Sequence, residues 1–110
     1  MDTRRQLTRF SASDMAQAIA GGSFSALEAL EAHIERLEAV NPRLNAVVAR
    51  RYEAAREEAR GIDARRARGE ALGPLAGVPV TVKDSIDVAG LPSTFGLPWR
   101  VCRAPRTRFR

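Results

Sequence analysis

Apolar positions recur with helical spacing over residues 15–37, and two later runs, 44–49 and 78–82, are short and apolar. Met15 and Ile19 repeat at i, i+4, with Ala16 and Ala20 beside them. Ser13-Asp14 is read as the cap of this short helix, and Gly21-Gly22 as its stop. Ser25-Ala-Leu-Glu28 has the form of a capping box, in which serine and glutamate each satisfy a free backbone donor. Leu27, Leu30, Ile34 and Leu37 follow as one apolar stripe, with Glu31, Glu35 and Arg36 off it. Asn41-Pro42 is expected to end the helix, because proline disfavours helical geometry in the residue before it.

Leu44 to Ala49 is a short apolar run and reads as a strand. Tyr52 to Arg68 reads as a long polar helix. Its alanines offer little drive to pack, and Glu53, Arg56, Glu57 and Arg60 support each other on a solvated face. Gly69 ends it, and Gly73-Pro74 and Gly77 punctuate the approach to a second strand over 78–82. In that strand Val78, Val80 and Val82 fall on one face, and Pro79, Thr81 and Lys83 on the other. Gly90-Leu-Pro92 is a turn, with Ser93, Thr94 and Gly96 close behind.

Composition changes this picture in two places. All basic residues but one are arginine, and the exception is Lys83. Lysine can lose its proton at an accessible pH and act as a base; arginine cannot. A lysine at the end of an apolar run, followed by Asp-Ser and a glycine turn, is a candidate for chemistry. It is equally the kind of charged side chain that simply faces water at a strand end. The net charge of +5 is the second place. Residues 100–110 hold Arg100, Arg103, Arg106, Arg108 and Arg110 with no acid, so the other 99 residues are neutral overall. That tail could touch nucleic acid or an anionic surface. The 50–68 charge run could not do so readily, because acids are interleaved. Nucleic acid is therefore disfavoured as a partner.

Several classes are set aside. At 110 residues the chain is one domain at most. No apolar run reaches the length that spans a bilayer, and the N-terminus has no apolar segment behind its two arginines. Cys102 alone forms no internal disulfide, and with His33 far away no four-ligand zinc site is expected. His33 lies near the apolar stripe and reads as a packing or surface residue. A cytoplasmic protein without a cofactor is the expectation.

Gly77-Val-Pro-Val-Thr-Val-Lys-Asp-Ser-Ile-Asp-Val-Ala-Gly-Leu-Pro-Ser-Thr-Phe-Gly96 resembles the lysine-bearing segment of the amidase signature family. Upstream, the Ser25 helix, Val40-Asn-Pro-Arg-Leu-Asn-Ala46 and the Ala/Glu/Arg-rich helix follow that family's order. The resemblance covers residues 11 to about 99. It implies an α/β fold, a mixed sheet flanked by helices, of which this chain would supply the leading helices and first strands. It implies hydrolysis of a small-molecule amide by a triad of serine, a second serine in a cis peptide, and lysine. Lys83 maps onto that lysine. In neutral form it would take a proton relayed through the bridging serine from the nucleophile. The resemblance also implies a homodimer or amidotransferase subunits as partners.

Two departures stand out. Ser85 occupies a position where many members have asparagine, and Leu97 one where many have serine. The family's Gly/Ser-rich signature, which carries both serines, does not occur in these 110 residues. Residues 1–99 are thus expected to be the N-terminal part of an amidase domain. Residues 100–110 read as an unrelated arginine-rich tail, as a frameshift in a GC-rich gene would produce. The isolated chain is expected to be inactive and poorly folded or sticky.

Overall fold

The computed structural model describes residues 3–86 and 88–91. Within them the backbone forms α1 (Thr3–Leu7), α2 (Ala12–Gly21), α3 (Ala26–Leu44) and α4 (Tyr52–Ala67). The chain divides into two compact units. One comprises Met1–Val47 with Tyr52–Pro79, and the other Val48–Arg51 with Val80–Arg110.

The first unit is helical. Ser11, not Ser13, caps α2: its hydroxyl accepts from the Asp14 amide at 3.1 Å. Both serines offer the same chemistry, and helical geometry beginning at Ala12 leaves Ser11 in the flanking extended conformation a cap needs. At the other end Gly22 takes the left-handed conformation, at φ 80°. The Ser23 amide donates to Ala18 and the Gly22 amide to Ile19, which closes the helix as a Schellman motif. Gly69, at φ 74°, closes α4 the same way, with Glu70 donating to Arg65 and Gly69 to Arg66. Ser25 caps α3 through the Glu28 amide at 3.0 Å.

Two expectations for α3 change. Its fully buried face is Ala26, Ala29 and Ala32 together with Ile34, whereas Leu27, Leu30 and Leu37 are half-buried. Small side chains let neighbouring elements approach closely, and the leucines flank that contact. The helix also runs through Pro42 to Leu44. The local bias of the residue before proline is outweighed by side-chain anchoring. Asn41 is buried, its amide Nδ2 donates to the Val47 carbonyl at 3.0 Å, and its Oδ1 accepts from the Val47 amide at 2.9 Å. Asn45, left-handed at φ 48°, then ends the helix and donates to the Asn41 carbonyl.

Met15, Ile19, Ala26, Ala29 and Ala59 form the core, with Phe24, Leu27, Leu30, Ile62 and Val78 packed against it. Polar contacts join α4 to α3 as well. The Arg56 guanidinium bonds both Glu31 oxygens, at 2.5 and 3.3 Å, in addition to Glu53 on its own helix. Tyr52 donates to Glu38. The face expected to be purely solvated therefore also clips two helices together. Arg60–Glu57 stays within α4, as the spacing predicts.

No strand forms among the described residues, and 45–51 and 78–83 are irregular. The reason is that a strand is defined by its ladder partner, and neither run finds one here. The expected single valine face is not formed either: Val78 and Val82 are half-buried, while Val80 is exposed.

Candidate active site around Lys83

Lys83 belongs to the second unit, which also contains residues 48–51. Parts of both runs read as strands thus fall in one compact unit without pairing as a ladder. The Ile86 amide donates to the Lys83 carbonyl at 2.9 Å, so Lys83 opens a β-turn with Asp84 and Ser85 at its corner. Asp and Ser favour that corner because their side chains compete well for local backbone donors. A second turn follows, with the Leu91 amide donating to Val88 and Gly90 left-handed at φ 83°. Lys83 and Ser85 are exposed and Asp84 is half-buried. Among the described residues, no carboxylate pairs with the Lys83 amine. No described acid therefore holds the amine. Pro92, Ser93, Thr94, Gly96, Leu97, Cys102 and the arginine tail lie outside the described residues.

The other candidates have structural duties. His33 Nδ1 donates to the Ala29 carbonyl one turn back, at 2.7 Å, which is a helix-surface contact. Ser11 and Ser25 are helix caps. Among the described residues no cluster of His, Cys, Asp or Glu could hold a metal ion, and no helix is long and apolar enough to cross a membrane.

Sequence reasoning missed three residues of the first unit. Asn41 is one. The others are Asp63 and Arg66, a turn apart on α4. Asp63 accepts from the amides of Ala26 at 2.8 Å and Leu27 at 3.2 Å, the free donors at the start of α3. Arg66 Nε donates to the Ala20 carbonyl at the end of α2, at 3.3 Å. An acid and a base at i, i+3 facing a helix–turn–helix corner was the available signal. It is weak without knowledge of which helices meet.

The Amidase family model matches residues 28–106. The chain belongs to the amidase family. A glutamyl-tRNA(Gln) amidotransferase subunit from Salinispora tropica is 49% identical over 82% of this chain and 18% of its own length. An indoleacetamide hydrolase from Bradyrhizobium diazoefficiens is 48% identical over 82% of this chain and 17% of its own length. An acylamidase from Rhodococcus erythropolis is 43% identical over 86% and 20% respectively. Among solved structures, a bacterial aryl acylamidase of the amidase signature family superposes with a TM-score of 0.83 at 34% identity, covering 90% of this chain and 21% of that one. A complex described as vestigial, tied to the origins of an s-triazine catabolic enzyme, gives 0.85 at 35% identity, covering 90% and 22%. This amidase-family chain therefore spans about a fifth of the length of the relatives it matches.

Proposed function

We propose that this chain is the lysine-bearing, N-terminal part of an enzyme that hydrolyses a carboxylic amide, and that Lys83 is its proton acceptor. The observation that carries this is the Gly77-Val-Pro-x-x-x-Lys83-Asp84 motif, lying inside the family match, with an amine that pairs with no described carboxylate. Unprotonated, Lys83 would accept a proton passed through a bridging serine from the nucleophilic serine. The freed alkoxide attacks the amide carbonyl, the amine leaves with a proton, and water releases the acid from the acyl-enzyme. The two serines belong to the Gly/Ser-rich signature that these 110 residues lack. On this reading the polypeptide alone turns over no amide, and the enzyme works in the cytoplasm on a small-molecule substrate.

A chimera tests the reading. Residues 11–99 replace the corresponding stretch of the Rhodococcus erythropolis acylamidase, and amide hydrolysis is measured. The chimera is expected to be active, and Lys83→Arg to lower kcat by roughly 10²- to 10⁴-fold. An active Lys83→Arg chimera would refute the assignment. A second reading, membership of a multi-subunit amidotransferase, is favoured by the 49% identity to the Salinispora tropica protein. Co-purification of the chain with further amidotransferase subunits from its own host separates the two.

A further inference from the structure

We propose that the outer face of α4 is a docking surface for a second copy of this chain, the two α4 helices crossing antiparallel at Gly61. The inference does not depend on the role of Lys83, and every residue it uses lies in the first unit.

Helix α4 commits one side to its own chain. Ala59 is in the core, Arg56 bonds Glu31, and Asp63 accepts from the amides of Ala26 and Leu27. On the other side Glu58, Gly61, Arg65 and Arg68 follow one another at spacings of three and four, and all four are exposed. With Ile62 and Ala64 they line an open depression of about 580 Å³. Gly61 forms its floor. Glycine is the poorest helix former after proline, and nothing in the described residues asks for it here. Its backbone is helical, and an added Cβ would meet nothing within 4 Å. A helix that forgoes a side chain on its open face lets another backbone come close there. The Ile62 side chain and the Ala64 methyl supply apolar contact on either side of that point.

Charge selects the occupant. Glu58 precedes Gly61, and Arg65 and Arg68 follow it. The two arginines share one carboxylate, Glu70, at 3.8 and 2.8 Å, so this end of the face keeps a net positive charge. Glu58 and Arg65 stand equally far from a point between Gly61 and Ile62. A two-fold axis through that point sets each Glu58 opposite the partner's Arg65, and the contact forms twice. A parallel crossing would set like charge against like. The antiparallel arrangement also opposes the two helix dipoles. A single helix pair covers less than the roughly 1,200 Å² at which stable interfaces begin, so the dimer is a weak, concentration-dependent one.

The full chain carrying Val48→Glu and Val80→Glu provides the test, since these changes suppress pairing through residues 48 and 80 and leave α4 intact. Sedimentation equilibrium is expected to show a monomer–dimer equilibrium. Gly61→Leu is expected to raise Kd at least roughly 10-fold by filling the crossing point. At concentrations where the chain is monomeric, the same change should raise the melting midpoint by roughly 4 °C, because leucine is the better helix former. Glu58→Arg is expected to raise Kd roughly 10-fold, and adding Arg65→Glu to restore it to within about 3-fold of the parent, since the exchange rebuilds both contacts with reversed sign. The charge exchange decides the matter if Gly61→Leu does not accumulate. A chain that stays monomeric in this background overturns the proposal, as does an exchange that rescues nothing. If the rest of an amidase polypeptide is the true occupant, the chain stays monomeric and Gly61→Leu lowers the yield of active acylamidase chimera; that result overturns it too.

Discussion

Gly77 is the residue at which backbone freedom and packing make the same demand. Its left-handed φ of 87° disfavours any side chain, and its missing Cβ is what lets the chain rest on Ile19 and Ala26. Gly90 offers a control, since it is left-handed at φ 83° but a Cβ there would meet nothing within 4 Å. Gly77→Ala is therefore expected to cost roughly 2–5 kcal/mol, conformational strain plus overpacking. Gly90→Ala should cost only the strain, about 1–2 kcal/mol. Denaturant midpoints of the two variants check this, and equal losses would mean that the contact at Gly77 contributes nothing. The glycine punctuation was legible from sequence. The contact was not, because nothing local says that residue 77 returns to residues 19 and 26.

At the scale of helices, the ends were the most legible features and the lateral contacts the least. Gly21-Gly22, Ser25 and Gly69 act where the sequence predicts, because caps are local chemistry. Pro42 misleads because the local preference is overridden by Asn41, whose carboxamide grips the backbone of Val47. Asn41→Ala would leave a donor and an acceptor of Val47 without partners and is expected to cost about 1–3 kcal/mol. Faster hydrogen exchange at the Val47 amide should accompany the loss. The α3–α4 clip makes a second prediction. The hydrogen bond from Arg56 holds the Glu31 carboxyl below its usual 4.5. A group whose folded pKa is depressed stabilises the fold above its unfolded value, and that stability is lost as pH falls through the folded value. Stability should thus decline on acidification below about pH 4.5, where the clip loses its charge. Glu31→Gln is expected to lower stability near neutral pH and to flatten this part of the profile, as thermal melts from about pH 3 to 7 would show. The effect is small in absolute terms, because the pair is partly exposed and solvent and salt screen it.

At the scale of the whole molecule, a strand over 78–82 was read from the alternation of Val78, Val80 and Val82, and the described residues answer with helices and irregular backbone. Alternation tells which way side chains would point in a sheet. It cannot supply the neighbouring strand, and pairing is what makes a sheet. The consequence is visible on the surface. Val80 is 75% exposed, Leu44 67% and Val48 62%, all aliphatic side chains in or beside the two runs read as strands. Isolated apolar residues at a surface are ordinary. Backbone without a ladder partner that also carries aliphatic side chains is a template for pairing with another chain. The 110-residue polypeptide is therefore expected to self-associate as its concentration rises, with sedimentation velocity showing a shift to larger species. Val48→Glu and Val80→Glu should each reduce that shift, since like charges brought together across a new pair repel. Thr81→Glu, at a position already polar and exposed, should change it less. If the chain stays monomeric at every concentration, or if all three substitutions act alike, unpaired backbone at 48 and 80 is not what drives the association.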